Sequence, residues 1–204
     1  MDIPSDGQFH SIPVFSEDVK ARVSFVTVPR ETQDVFRFVQ MSNPLKAPLL
    51  EGPVDIHVGD GFLMTAPLRQ VAPWGKIKLG LGVEQGIKVA RNASYEEETS
   101  GLMSGSLRLR HAIRIEVVHH LRETVQLEVR ERIPVADDGD EQVEIATFDV
   151  DPEWQTFQQG CRPIRGGYRW KLALEPGTEQ TLRASYVVQI PSKHEIVGGN
   201  RREG

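Results

Sequence analysis

The chain has 204 residues, 39% hydrophobic and 26% charged, an ordinary globular composition with enough length to bury about 70% of the unfolded surface. A net charge of −5 excludes the basic footprint of a nucleic-acid or anionic-membrane binder, and no run approaches the ~18 apolar residues of a membrane span. The single cysteine, Cys161, excludes an internal disulfide and a zinc site built on several thiolates.

Met1–Phe9 shows neither the basic nor the apolar region of a signal peptide. Asp6-Gly7 marks a turn ahead of Gln8–Phe15. Val19–Pro29 and Asp34–Met41 read as strands, the second broken by Ser42-Asn43-Pro44. Val54, Ile56 and Val58 alternate up to Gly59-Asp60-Gly61, and Phe62-Leu63-Met64 returns, which predicts a hairpin whose turn needs positive φ. Ile77, Leu79, Leu81 and Val83 alternate next, followed by a short strand at Ile87-Lys88-Val89. Ser100–Ser106 reads as a Gly/Ser loop between two lobes.

From Leu107 to Val135 the odd-numbered residues are almost all apolar and the even-numbered ones are mostly Arg, Glu or Gln, the period of half-buried strands. His119–Glu123 is the expected turn. Charge selects a hairpin register with Arg114 opposite Glu128 and His111 opposite Glu131, because like charges face each other after a slip of two. Val143–Phe148 is a further strand and Asp151–Pro163 is irregular. Tyr168–Leu174 and Leu182–Ile190 flank Glu175-Pro176-Gly177, a second expected hairpin with Trp170 opposite Tyr186.

No segment carries a helical period, so the expected class is all-β, with two packed, mostly antiparallel, Ig-like β-sandwich lobes. The expected division is residues 1–99, a loop at 100–106, residues 107–191, and a polar tail at 192–204.

Several segments carry a family likeness: Ser5-Asp6-Gly7, Leu50-Glu51-Gly52-Pro53-Val54, Gly59-Asp60-Gly61-Phe62, Leu81–Val89, Glu131-Arg132-Ile133-Pro134-Val135, Trp170-Lys171-Leu172 and Tyr186-Val187-Val188. Through them the chain resembles the C-terminal domain of unknown function (domain of unknown function 4139) of mucoidy-inhibitor-A-like bacterial proteins. The resemblance implies a β-rich domain that in longer relatives follows an N-terminal β domain and a coiled coil. It implies no reaction, cofactor or catalytic residue. Glu131 and His119-His120 stand where relatives favour Asp and Asn. The expected compartment is the bacterial cytoplasm, or the periplasm for a piece of a secreted parent.

Candidate chemistry is sparse. His111 and Glu131 form a candidate buried polar pair on the apolar face. Trp74, Trp154 and Phe157, with Leu102 and Met103, are a candidate binding patch of loop aromatics and apolars. Adjacent His119-His120 point opposite ways along a strand and suit a turn better than a metal. Cys161 lacks a protease signature, and Asp137-Asp138-Gly139-Asp140-Glu141 lacks ordered calcium spacing. No cofactor or metal is expected. The leading expectation is a non-enzymatic binding or scaffold domain with a protein or envelope partner. The alternatives are a carbohydrate-binding module acting on exopolysaccharide and a hydrolase using His111, Glu131 or Cys161. Oligomeric state is left open by the sequence.

Overall fold

The computed structural model describes residues 6–7, 14–100, 106–136, 139, 142–159 and 162–191. Among them are twelve strands: β1 (Arg22–Thr27), β2 (Val35–Ser42), β3 (Gly52–Val58), β4 (Gly61–Leu68), β5 (Lys76–Val83), β6 (Ile87–Ser100), β7 (Ser106–His119), β8 (Val125–Arg132), β9 (Glu144–Asp151), β10 (Gln155–Gln159), β11 (Arg162–Leu174) and β12 (Glu179–Pro191). They form a six-stranded sheet ordered β10-β11-β8-β1-β2-β5, a four-stranded sheet ordered β6-β7-β12-β9, and a β3-β4 hairpin. The protein is all-β with packed sheets, as its alternation demands.

Contacts divide the chain into two compact units, Met1–Arg22 with Gln40–Leu79, and Val23–Val39 with Gly80–Gly204. The expected division at 100–106 is corrected. β6 runs far beyond Ile87–Val89 and pairs with β7 from Ile87↔His119 to Ser100↔Ser106, so residues 100–106 join two strands of one sheet.

In the larger unit, β7 and β8 both bury their odd residues. Leu109, Ile113, Ile115, Val117, Val125, Leu127 and Val129 are each no more than 4% exposed. The two strands do not pair with each other. β7 lies between β6 and β12, with Ile115 opposite Leu182. β8 lies between antiparallel β11 and parallel β1, with Leu127 opposite Leu172 and Phe25. The predicted hairpin register is therefore overturned, and the two odd faces contribute to one continuous core. The energies explain why. Burying one Val, Leu or Ile is worth about 1.5–3 kcal/mol, whereas the charge pairs that selected the register are worth about 0.2–1 kcal/mol each. Alternation fixes the buried face and leaves the lateral neighbour open.

The same holds for β11 and β12, which leave the Glu175–Gly177 turn for opposite sheets, so Trp170 and Tyr186 are not lateral partners. His119 ends β7 fully buried, not in an open turn. Its backbone bonds Thr178 and Gly177, each at 3.0 Å, and its Nε2 lies 2.8 Å from the Glu123 carbonyl. The segment expected to be irregular contains β10 and the start of β11.

In the smaller unit the predicted hairpin forms as read, with Gly59 at φ 59° and Asp55 accepting a 2.6 Å bond from Thr65 across the strands. Fully buried Asn43 organises the neighbouring turns. Its side-chain amide donates to the carbonyls of Ala47 and Ala72, its Oδ1 accepts from Leu45 N–H, and its own N–H donates to Gly75.

Gly166 in β11 sits at φ 68°, accepts the Ile133 N–H at 2.9 Å, and leaves no room for a Cβ against the Ile133 carbonyl. Gly177 has a similar φ of 73° but open space. Urea denaturation is expected to show Gly166→Ala losing about 3 kcal/mol and Gly177→Ala about 1 kcal/mol, the difference reporting the close approach and not the dihedral.

Candidate functional site

The pair expected from the sequence is not a pair. His111 lies on β7 and Glu131 on β8, in different sheets. The His111 ring stacks on Tyr186 at 4.6 Å and 9° and on Tyr95 at 6.0 Å and 29°, three rings in one cross-strand row of β12, β7 and β6. The Glu131 carboxylate meets Arg91 instead, with Nε–Oε2 at 2.8 Å, and its Oε1 accepts the Arg132 N–H at 2.9 Å. The Glu131 side chain is fully buried and Arg91 is 10% exposed. This ion pair links the four-stranded sheet to the six-stranded one through their apolar faces. The sequence carried a signal for it: continuing the parity of Ile87 and Val89 places Arg91 on the inward face.

The loop aromatics separate into two kinds. Trp154 is 9% exposed and stacks on Tyr168 at 4.1 Å and 16°, with Trp170 tilted against it at 5.0 Å. Trp170 is anchored in turn by a 2.7 Å bond from its indole N–H to the Pro152 carbonyl. Phe157 is 8% exposed under the Arg130 guanidinium, 4.3 Å from the ring centre, with Arg169 at 5.8 Å. Glu128 holds both arginines in place, at 2.7 and 3.2 Å. Trp154 and Phe157 therefore pack the framework and do not contribute to an open patch. Large rings bury the most area at a strand end, which explains their place in a loop-like sequence. Leu102, Met103 and Cys161 lie outside the described residues, as do the four acidic residues of the 137–141 run. Among the described residues, no three His, Cys, Asp or Glu converge as metal ligands.

Trp74 is different. It is 64% exposed and adopts φ 63°, a conformation that costs a bulky residue roughly 1–3 kcal/mol. The turn is held from both sides, because Gly75 N–H bonds the Ala72 carbonyl and the Gly75 carbonyl accepts the Asn43 N–H, each at 2.9 Å. The same unit exposes further apolar groups at the hairpin tip: Val58 55%, Phe62 61% and Leu63 37%. The Phe62 ring is fixed edge-on against His57 at 5.6 Å. The tip was read from sequence only as a turn, since Val58 and Phe62 fit the apolar pattern of a buried strand.

Two shallow depressions mark the four-stranded sheet. One, of about 290 Å³, is lined by Arg108 and Arg110 with Glu98 and Glu144; the other, of about 440 Å³, by Arg114 and Arg183 with Asp149. Their cations are offset by neighbours: Arg110 lies 3.8 Å from Asp149 and Arg114 lies 2.7 Å from Glu116.

A family model described as "Domain of unknown function (DUF4139)" matches residues 1–192. No curated protein and no solved structure matches the chain.

Arg91→Met or Glu131→Leu alone is expected to cost about 3–5 kcal/mol in urea denaturation, because each strands a buried charge, while the double substitution recovers most of the loss. Trp154→Ala is expected to cost about 3–5 kcal/mol. Trp74→Gly is expected to gain about 1 kcal/mol by relieving the positive φ. A stability loss at Trp74 equal to that at Trp154 would place Trp74 in the framework too.

Proposed function

We propose, from the premise that the chain belongs to the DUF4139 family, that it is a non-enzymatic binding domain whose smaller unit docks a protein partner. The observation that carries this reading is the apolar tip of the β3-β4 hairpin. Exposed apolar residues on a soluble protein are usually scattered singly, and clustered ones mark interfaces. Here Val58, Phe62 and Leu63 fall within six residues at one turn, with the Phe62 ring already oriented by His57. A pre-oriented aromatic loses little entropy on docking, the property of an interface anchor. Trp74 adds a second exposed ring, retained in a strained conformation.

The resemblance to mucoidy-inhibitor-A-like proteins supports a bacterial, envelope-related partner, with the domain presented by a coiled coil in a longer parent. Trp74 also suits a sugar platform, yet Trp154, the second ring of that reading, is occupied by Tyr168 and Trp170. The hydrolase reading loses its pair, because the Glu131 carboxylate is engaged by Arg91.

The test is site-specific photo-crosslinking in the native cell, with benzoylphenylalanine at position 62 and, as a control, at exposed position 171. A discrete adduct from position 62, weakened by Val58→Ser, is expected. The same adducts from both positions would overturn the proposal. A glycan array run in parallel is expected to show no binding. Glycan binding that disappears in Trp74→Ala would replace the protein partner with a polysaccharide.

A further inference from the structure

The two large sheets end in the edge strands β10 and β5 on one side and β6 and β9 on the other. An exposed edge presents backbone donors and acceptors to any other strand, and proteins blunt such edges with short strands, bulges and proline. β10 has 5 residues and shifts register between Thr156 and Gln158. β9 shifts where it meets Arg183 and Ser185, with Asp149 at φ 50°. β5 carries Gly82 at φ 80°. In the hairpin, Pro53 stands opposite Pro67, and neither has an N–H to donate.

β6 carries none of these devices. It has 14 residues and no proline, and it follows β7 in unbroken register. Among the described residues no strand lies on its other side. An inward charge also blunts an edge, but the inward Arg91 is matched by Glu131 at 2.8 Å.

The charges of β6 are polarised. Lys88 stands near its start and Glu96-Glu97-Glu98 near its end, all exposed, with uncharged Asn92-Ala93-Ser94 between them. Two copies aligned in parallel set acid against acid. Aligned antiparallel, they set the basic end of each against the acidic end of the other, so the strand complements itself.

We infer that β6 pairs antiparallel with β6 of a second copy of this chain about a two-fold axis at Ala93, joining two four-stranded sheets into one. This register puts Lys88 opposite the partner's Glu98 and diagonal to the partner's Glu96, and symmetry doubles both contacts. Within the chain Glu98 lies opposite Arg108 of β7, so each row reads Arg108, Glu98, the partner's Lys88, alternating in sign. Asn92 falls opposite the partner's Ser94. An axis at Arg91 sets two arginines face to face, and an axis at Glu96 two acids. A shift of one residue between the strands turns the core face of one copy toward the solvent face of the other. The surface belongs to the larger unit and is independent of the hairpin tip.

The test is sedimentation velocity of the full chain over a concentration series, with circular dichroism to verify folding of each variant. A reversible dimer is expected. Lys88→Glu sets acid against acid at both symmetric contacts, and Glu98→Lys sets cation against cation. Each alone is expected to weaken the dimer at least about tenfold. An equimolar mixture of the two variants restores opposite charges at both contacts and is expected to dimerise as the unsubstituted chain does. Lys171→Glu, on β11, is expected to leave the dimer unchanged. A chain monomeric throughout the series would overturn the inference. So would a dimer that persists in Lys88→Glu, or a mixture no more associated than its two components, the result if the substitutions merely fray β6.

Discussion

The larger unit depends on one constraint: two runs of odd-numbered apolar side chains, on β7 and β8, must leave water together. Each strand has only one face to bury, and the most complete burial sets the two faces against each other. Once β7 and β8 occupy opposite sheets, their lateral neighbours must come from elsewhere. β6 and β12 flank β7, while β11 and β1 flank β8. The Arg91–Glu131 pair then lies within this apolar contact, and its carboxylate is fully buried. A buried ion pair seldom adds net stability over an apolar substitute, but its cost when mismatched penalises any sheet register that separates the partners. His119, buried at the point where the chain turns between sheets, completes the crossing through its bonds to Glu123, Gly177 and Thr178.

The smaller unit follows a different logic. It interrupts the larger one between Val39 and Gly80. A two-stranded hairpin alone is marginal in water, and most β3 and β4 side chains are half-buried or exposed. What is rigid there is the set of turns around Asn43, and those turns hold Trp74 in its left-handed conformation. On the docking proposal, ordered backbone beneath exposed side chains is what a recognition surface requires.

Strand existence and facing were legible in the sequence because both are local properties. The parity of Leu107–Val135 is visible within one segment, and Gly59-Asp60-Gly61 encodes its own turn. Pairing was not legible. Arg114 and Glu128 made a plausible hairpin on paper because nothing local tells whether consecutive alternating strands continue one sheet or cross to another. The unit boundary was missed for a related reason: an inserted segment that starts within β2 and ends within β5 shows no linker composition. Trp154 and Phe157 looked like loop aromatics because their partners, Tyr168, Arg130 and Arg169, come from strands that the sequence does not place beside them. Arg91 was within reach, since one further step of alternation along β6 puts it inward.

The parallel pairing of β1 with β8 bears on the order in which the protein can be built. Phe25 lies beside Leu127, and Arg30 donates to the carbonyl of Arg132, 102 residues further on. A ribosome releases β1 about a hundred residues before that neighbour exists. Meanwhile the edge of β1 that β8 will cover presents unpaired amides and carbonyls, and Phe25 lacks most of its eventual packing. Non-local closure of this kind is slow, and the waiting edge is open to other strands. The order in which strands leave the ribosome thus bears on a fold whose finished form gives no hint of it.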